Sequence, residues 1–392
     1  MTTSINQIVD DDFVRALPKA ELHAHLSGSI SPSVLQGLWK RKRAQGQCLD
    51  LEDPLTAIRQ GERFVDVVSF FPLFDKYIYA LVDNVWAVKF VTGQVLQDFE
   101  DDGVGYLELR TTPRENLCSN MTKQAYVTAV SETLREWNES RRLADSANSV
   151  IQHGNMIARL ILSIDRKMTA VQADEVVDLA IKYKFPREVD DKSAIHLGRP
   201  LEAPVEERFV VGVDLCGNPL RGEVSTFTPA FGRAKRGGLG ITVHFAEVPQ
   251  SSTGSELSTI LSWEPDRLGH VINVPQQYAD IIKKRKLAME LCLSCNVLTG
   301  LTTGGFAEHH FGRWLKTGCA IALSTDDVGV FGSPLSNEYL LAAKHFDMPP
   351  AALVWLSKSA ACASFGGRKH MLELIRRFEQ RETGGGQDAT EL

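Results

Sequence analysis

ELHAHLSGSI, residues 21–30, sets two histidines, His23 and His25, one residue apart in an otherwise apolar stretch. Alternation along a strand sends residues i and i+2 to the same side, so both imidazoles face one point. Two nitrogen donors aimed together are half of a metal site. The remainder of the chain has to supply the other half and a frame to hold it.

Working outward, the strand around these histidines, 20–26 (AELHAHL), is the first of eight short β-rich runs. The others are 104–110 (VGYLELR), 157–165 (IARLILSID), 209–215 (FVVGVDL), 241–246 (ITVHFA), 266–271 (DRLGHV), 287–293 (LAMELCL) and 320–325 (AIALST). Between them lie segments with apolar residues at helical spacing, such as Val85 to Glu100 and Thr122 to Trp137. Alternating strands and helices imply parallel strands joined by right-handed crossovers. Eight such units imply closure, so the expected class is α/β, a (β/α)8 TIM barrel. No glycine-rich fingerprint follows the first strand, which leaves a dinucleotide fold without support.

Residues 28–100 are too long for one crossover and are expected to carry extra helices inserted after the first strand, over the barrel mouth. Residues 1–382 are expected to form a single barrel domain. The polar, proline-containing segment 184–208 reads as a surface loop before the fourth strand, and 383–392 as a disordered tail.

The chain has 392 residues, 43% hydrophobic and 23% charged, an ordinary globular balance. No run approaches the roughly 18 consecutive apolar residues of a membrane span, and the polar N-terminus shows no signal peptide pattern. Seven cysteines in scattered apolar contexts read as reduced thiols, so a cytoplasmic protein is expected. A net charge of −6 argues against nucleic acid as a partner. The basic runs Lys40–Arg43 and Lys283–Lys286 read as solvated helix ends. The expected partner is a small-molecule substrate, with no membrane or nucleic acid, and the expected state is a monomer.

Barrel enzymes build their sites at the C-terminal ends of the strands. Polar residues gather there: His23 and His25, Arg110 to Arg114, Asp165, Asp214, His244 with Glu247, His270, and Asp326 with Asp327. Seven strand ends carrying such groups are hard to explain as core packing, because buried polar groups need partners. Zinc takes imidazole nitrogen and carboxylate oxygen, and a catalytic site keeps one position open for water. His23, His25, His244 and Asp326 come from the first, fifth and eighth strands, and the first and eighth are neighbours in a closed ring. A binuclear site would need a bridging modified lysine on a middle strand; the fourth ends in VDLCG, so one Zn2+ per chain is expected. Asp326 or His270 then takes a proton from the water, and Glu247 acts as an acid toward the substrate. The spacing of Cys292 and Cys295 suits a redox or zinc motif. No proline precedes Cys292 and no H-x-E is present, so buried, inert thiols are the better reading.

The successive motifs LPKAELHAHLSGSI, VDLCGNP, VHFAEVP, DRLGHV, LCLSCNVLTG and LSTDDVGVFGSPLSNEY resemble those of the adenosine deaminase family, in family order from about Leu17 to Phe346. The resemblance implies zinc ligation by His23, His25, His244 and Asp326. It makes Glu247 the acid that protonates purine N1, and His270 the group that orients or deprotonates the water. Asp327 would meet purine N7 and Gly217 the purine edge. GVGYLELRTTPRE and SIDR are similar to a nucleotide-acting subgroup that hydrolyses N6-methyl-AMP to IMP and methylamine. That similarity implies substrate contacts from His25, Ser27, Thr111, Thr112, Pro113, Arg114 and Asp165, with Arg114 toward a 5′-phosphate. Ser27 stands where the subgroup usually has asparagine, and Val271 where glycine is common. The alternatives are a deaminase of non-phosphorylated adenosine or adenine, and an inactive barrel that only binds nucleosides.

Overall fold

A computed structural model describes residues 8–47, 50–64, 66–147, 156–186 and 208–384. All eight β-rich runs form strands: β1 (Lys19–His25), β2 (Val104–Thr111), β3 (Ile157–Asp165), β4 (Val210–Cys216), β5 (Gly240–Phe245), β6 (Arg267–His270), β7 (Ala288–Leu291) and β8 (Ile321–Leu323). They pair in chain order, and every pair is parallel. Helices cover the outer face, which is why the strands read as near-continuous runs of Val, Ile and Leu. The ring is completed by a parallel bridge between Ala24 and Asp326. There the His25 N–H donates to the Asp326 carbonyl at 2.9 Å and the Asp326 N–H to the His23 carbonyl at 2.8 Å. The architecture is the (β/α)8 barrel that the alternation implies.

The connection from β1 to β2 carries helices Pro32–Ala44, Pro54–Ala57, Val67–Phe70 and Tyr79–Leu81 and a π-helical turn, Phe74–Ile78, before the crossover helix Val85–Asp101. That last helix starts at Asn84, whose side chain accepts from the Ala87 N–H at 2.9 Å. It buries Val88, Val91, Val95 and Phe99, three or four residues apart, on one face. The shorter helices before it roof the mouth with Phe70, Phe71, Phe74 and Tyr79. Phe70 stacks on Phe331 with ring centroids 5.4 Å apart, in a small apolar cluster that includes Cys292 and Cys295.

Both basic runs close helices, Pro32–Ala44 and Gln276–Arg285, where positive charge complements the helix dipole. Of segment 184–208, residues 187–207 lie outside the described residues. Lys184 bridges to Val210 at the start of β4. The last helix, Arg368–Gly384, continues two residues past 382, and 385–392 lie outside the described residues. Among the described residues, no helix is long and apolar enough to cross a membrane.

Inside the barrel, below its mouth, lies a layer of paired charges. Arg110 meets Asp214 at 3.2 Å and Glu290 at 2.7 Å, and Arg267 meets Glu290 at 2.6 Å and Glu108 at 2.7 Å. All five side chains are buried. Removing one partner would strand a charge, at a cost of about 3–5 kcal/mol. This layer is the floor on which the site rests.

Candidate metal centre and active site

Four groups from four strand ends converge at the mouth: one ligand atom each from His23, His244, His270 and Asp326 lies within 4.8 Å of the others. His25 joins them, its Nε2 3.3 Å from His244 Nε2 and 3.4 Å from Asp326 Oδ1. Backbone turns aim two of these side chains. His270 and Asp326 leave their strands at φ +60° and +64°, a left-handed conformation that costs a non-glycine residue about 1–3 kcal/mol. Val271 follows at φ +48°, in the same left-handed region.

The charged floor orients two of the rings. His23 Nδ1 donates to Glu290 Oε2 at 2.7 Å, which points its Nε2 at Asp326 Oδ1, 3.5 Å away. That Nε2 is buried without a hydrogen bond. His244 Nδ1 donates to the Leu215 carbonyl at 2.7 Å and lies 3.2 Å from Asp214 Oδ1, so its Nε2 also carries a lone pair toward the cluster. Lone pairs facing one another beside a carboxylate repel unless a cation lies between them. An orphaned buried imidazole nitrogen within such a nitrogen and oxygen donor set therefore fits a divalent metal.

Burial works to raise the Asp326 carboxyl, but the His23 imidazole facing it at 3.5 Å and the other surrounding imidazoles hold it well below the carboxylate range. Its neighbour behaves oppositely. Burial, reinforced by the charge of Asp326, pushes Asp327 well above that range, and its Oδ1 has no partner. Burial also pushes Glu247 up to about 7, despite the lowering effect of His244. The site therefore holds an ionised carboxylate beside two carboxyls that burial biases toward the protonated form.

One cavity is lined by His25, Ser27, Thr111, Thr112, Asp165, Gly217, His244, Glu247, His270, Asp326 and Asp327, all of them singled out in the sequence. Gly217, at φ +95°, allows the β4 end to pass the β3 end; a Cβ there would sit 2.5 Å from Asp165 Oδ1. Pro113 and Arg114 line an adjacent hollow instead, which shares Tyr79, Thr112, Asp165 and Lys167 with the cavity. Arg114 donates to the Val82 carbonyl at 3.0 Å and lies over the Tyr79 ring at 4.1 Å.

Several lining residues escape sequence reading: Phe70, Phe71, Phe74 and Tyr79 of the roof, Lys167, Asn218 and Arg221 at the wall, and Cys295. Aromatics in a helical insertion look like core, and single cations after strands look like surface. Cys295 is buried, as the sequence reading has it, but not on a strand. It sits instead in helix Leu293–Leu298, with its thiol 2.9 Å from Asp326 Oδ2.

The Adenosine deaminase family model matches residues 18–380. The N6-Methyl-AMP deaminase-L of Xenopus laevis is 34% identical, covering 90% of each chain. Among solved structures, the N6-mAMP deaminase of Arabidopsis superposes with a TM-score of 0.78 at 33% identity, covering 94% of this chain and 99% of that one. An Arabidopsis protein complexed with IMP superposes at 0.77 and 32%, covering 95% and 99%. With the family's motifs, its barrel and its profile coinciding on the same residues, this chain belongs to the adenosine deaminase family.

Proposed function

We propose that the chain hydrolyses N6-methyl-AMP to IMP and methylamine with one bound divalent cation, zinc by its donor set. The observation that carries the reading is a buried His–Asp cluster sharing a cavity with Glu247, a carboxyl that keeps its proton near neutrality. The relatives named for this reaction and the neighbour holding IMP support it.

His23, His25, His244 and Asp326 would hold the cation. When bound, a divalent cation lowers the pKa of a coordinated water into the neutral range and so supplies the nucleophile. The protonated Glu247 donates to purine N1, drawing electrons from C6. Asp326, ionised, accepts a proton from the attacking water, and His270 orients it. Asp327 is held in the acid form and donates to purine N7, while the Gly217 backbone meets the purine edge. Water adds at C6, the C6–N6 bond breaks, and the amine leaves with a proton.

The 5′-phosphate is assigned to the border of the two hollows, where Thr111, Thr112, Pro113 and Arg114 from the end of β2 meet Asp165 and Lys167 from β3. His25 and Ser27 complete the nucleoside contacts. A panel of N6-methyl-AMP, AMP, N6-methyladenosine and adenosine, compared by kcat/KM, tests the assignment. Preference for N6-methyl-AMP is the expected result; preference for adenosine would replace this reading with a nucleoside deaminase. Arg114→Ala should raise KM for the nucleotide far more than for the nucleoside, and an equal effect on both removes the phosphate role. The same reading makes the protein a cytoplasmic monomer with one zinc per chain, checked by metal analysis and light scattering.

A further inference from the structure

Behind His270 runs a chain of side chains in which the direction of every proton can be worked out. It starts at a backbone group. The Phe311 N–H donates to His309 Nδ1 at 3.0 Å. A backbone N–H can only donate, so His309 Nδ1 is the bare nitrogen and the ring proton sits on Nε2. That Nε2–H faces the side-chain amide of Asn296 at 3.1 Å. The amide end meeting it must therefore be the oxygen. Drawn with its nitrogen toward His309, the amide would set N–H against N–H; turned by half a rotation, it makes two sound hydrogen bonds. Its NH2 then donates to His270 Nδ1 across the 3.0 Å contact. His270 Nδ1 becomes an acceptor, and the proton of that ring has to reside on Nε2, which faces Asp326 Oδ2 at 3.8 Å. His310 holds the His270 backbone from the other side, its Nε2 donating to the His270 carbonyl at 2.6 Å.

We propose that His309, acting through Asn296, fixes His270 as the Nε2–H tautomer, so that His270 enters the reaction as a hydrogen-bond donor and not as a base. Asn296 and His309 are positioning residues; neither lines the cavity. A ring with hydrogen on Nε2 offers no lone pair to a cation, so His270 stands out of the ligand set despite its place in the cluster. That leaves His25 as the third imidazole ligand and Asp326 as the acceptor of the water's proton. The catalytic consequence rests on the deaminase reading above; the tautomer does not.

The test is long-range 15N–1H NMR of 15N-histidine-labelled, zinc-loaded full-length protein, with His270 assigned by its loss in His270→Gln. The expected pattern is a protonated Nε2 and a bare Nδ1. A protonated Nδ1 with a bare Nε2 would overturn the proposal, whatever the substrate panel shows. Asn296→Asp replaces the amide by a carboxylate that accepts on both sides, so His270 should switch to Nδ1–H, with kcat falling on the order of 10²-fold at little-changed KM. His309→Gln keeps an N–H for Asn296 and should retain the tautomer and most of kcat. His309→Leu removes that donor; an unchanged His270 spectrum and unchanged kcat in this variant would also overturn the positioning role.

Discussion

At the scale of single residues, the site works by setting protons against their ordinary preferences. Glu247 shows this most clearly. Its folded-state pKa, about 7, lies above that of an unfolded glutamate, and burial is the main cause. A group shifted upward adds stability below its unfolded pKa, near 4.5, and that stability is lost as pH rises through about 7. Glu247→Gln should therefore lose kcat/KM by about 10²–10⁴-fold, yet melt at a higher temperature than the wild type at pH 8. The gain is on the order of 3 kcal/mol in the metal-free protein and should shrink toward pH 5. Thermal unfolding of both proteins across pH checks it, and a constant difference would contradict the buried-acid assignment. The wild-type kcat/KM should also decline as pH rises through neutrality, because the deprotonated carboxyl cannot donate to N1. Asp214 acts at one remove, 3.2 Å from both His244 Nδ1 and Arg110. Asp214→Asn should weaken metal binding about 10–100-fold, read by competition with a chelating dye.

At the scale of elements, the strands were legible from sequence because burial on both faces leaves an unmistakable apolar signature. Helix ends were less so. The segment from Thr122 reads as helical to Trp137, but the helix Lys123–Ala147 continues through a polar stretch where apolar periodicity has ended. His23, His244, His270 and Asp326, which the fold gathers into one buried cluster, stood out in the sequence because core packing does not explain polar groups at so many strand ends. The roof was not. Phe70, Phe71 and Phe74 carry the same apolar signal as any core helix, and only the three-dimensional path of the insertion places them over the cavity. Asn296 and His309 were missed for a related reason: their significance lies in which atom donates, and spacing along the chain does not encode that. The roof makes its own prediction. Phe70 is buried against Phe331 and Phe74, so Phe70→Ala should cost about 3–5 kcal/mol if the cluster does not collapse around the gap. Because the cluster roofs the cavity, KM should rise more than kcat falls, which steady-state kinetics beside a melting curve would show.

At the scale of the whole molecule, the barrel joins residues nearly the full chain apart at one seam. β1 and β8 meet through the Ala24–Asp326 bridge, and the two hydrogen bonds there involve the backbones of His23, His25 and Asp326. The side chains of His23 and Asp326 belong to the buried His–Asp cluster, and His25 Nε2 lies 3.4 Å from Asp326 Oδ1. In the metal-free chain, burial works to lower His23, but the carboxylates of Asp326 and Glu290 facing its two nitrogens push it up to about 9. A proton then occupies ground that a cation has to take, so metal affinity should weaken as pH falls and uptake should release a proton, measurable by titration in weakly buffered solution. Stripping the metal should lower Tm by an amount that grows with the zinc concentration it replaces.

A cation seated there would act as a clasp on the ring. Without it, the first and last staves are held by that short run of backbone bonds, and springing them apart is the cheapest way for the cylinder to breathe. Amide exchange at His25 and Asp326, the two donors across the seam, should then slow on loading more than anywhere else in the wall, because the ion that equips the enzyme for chemistry also locks its hoop shut.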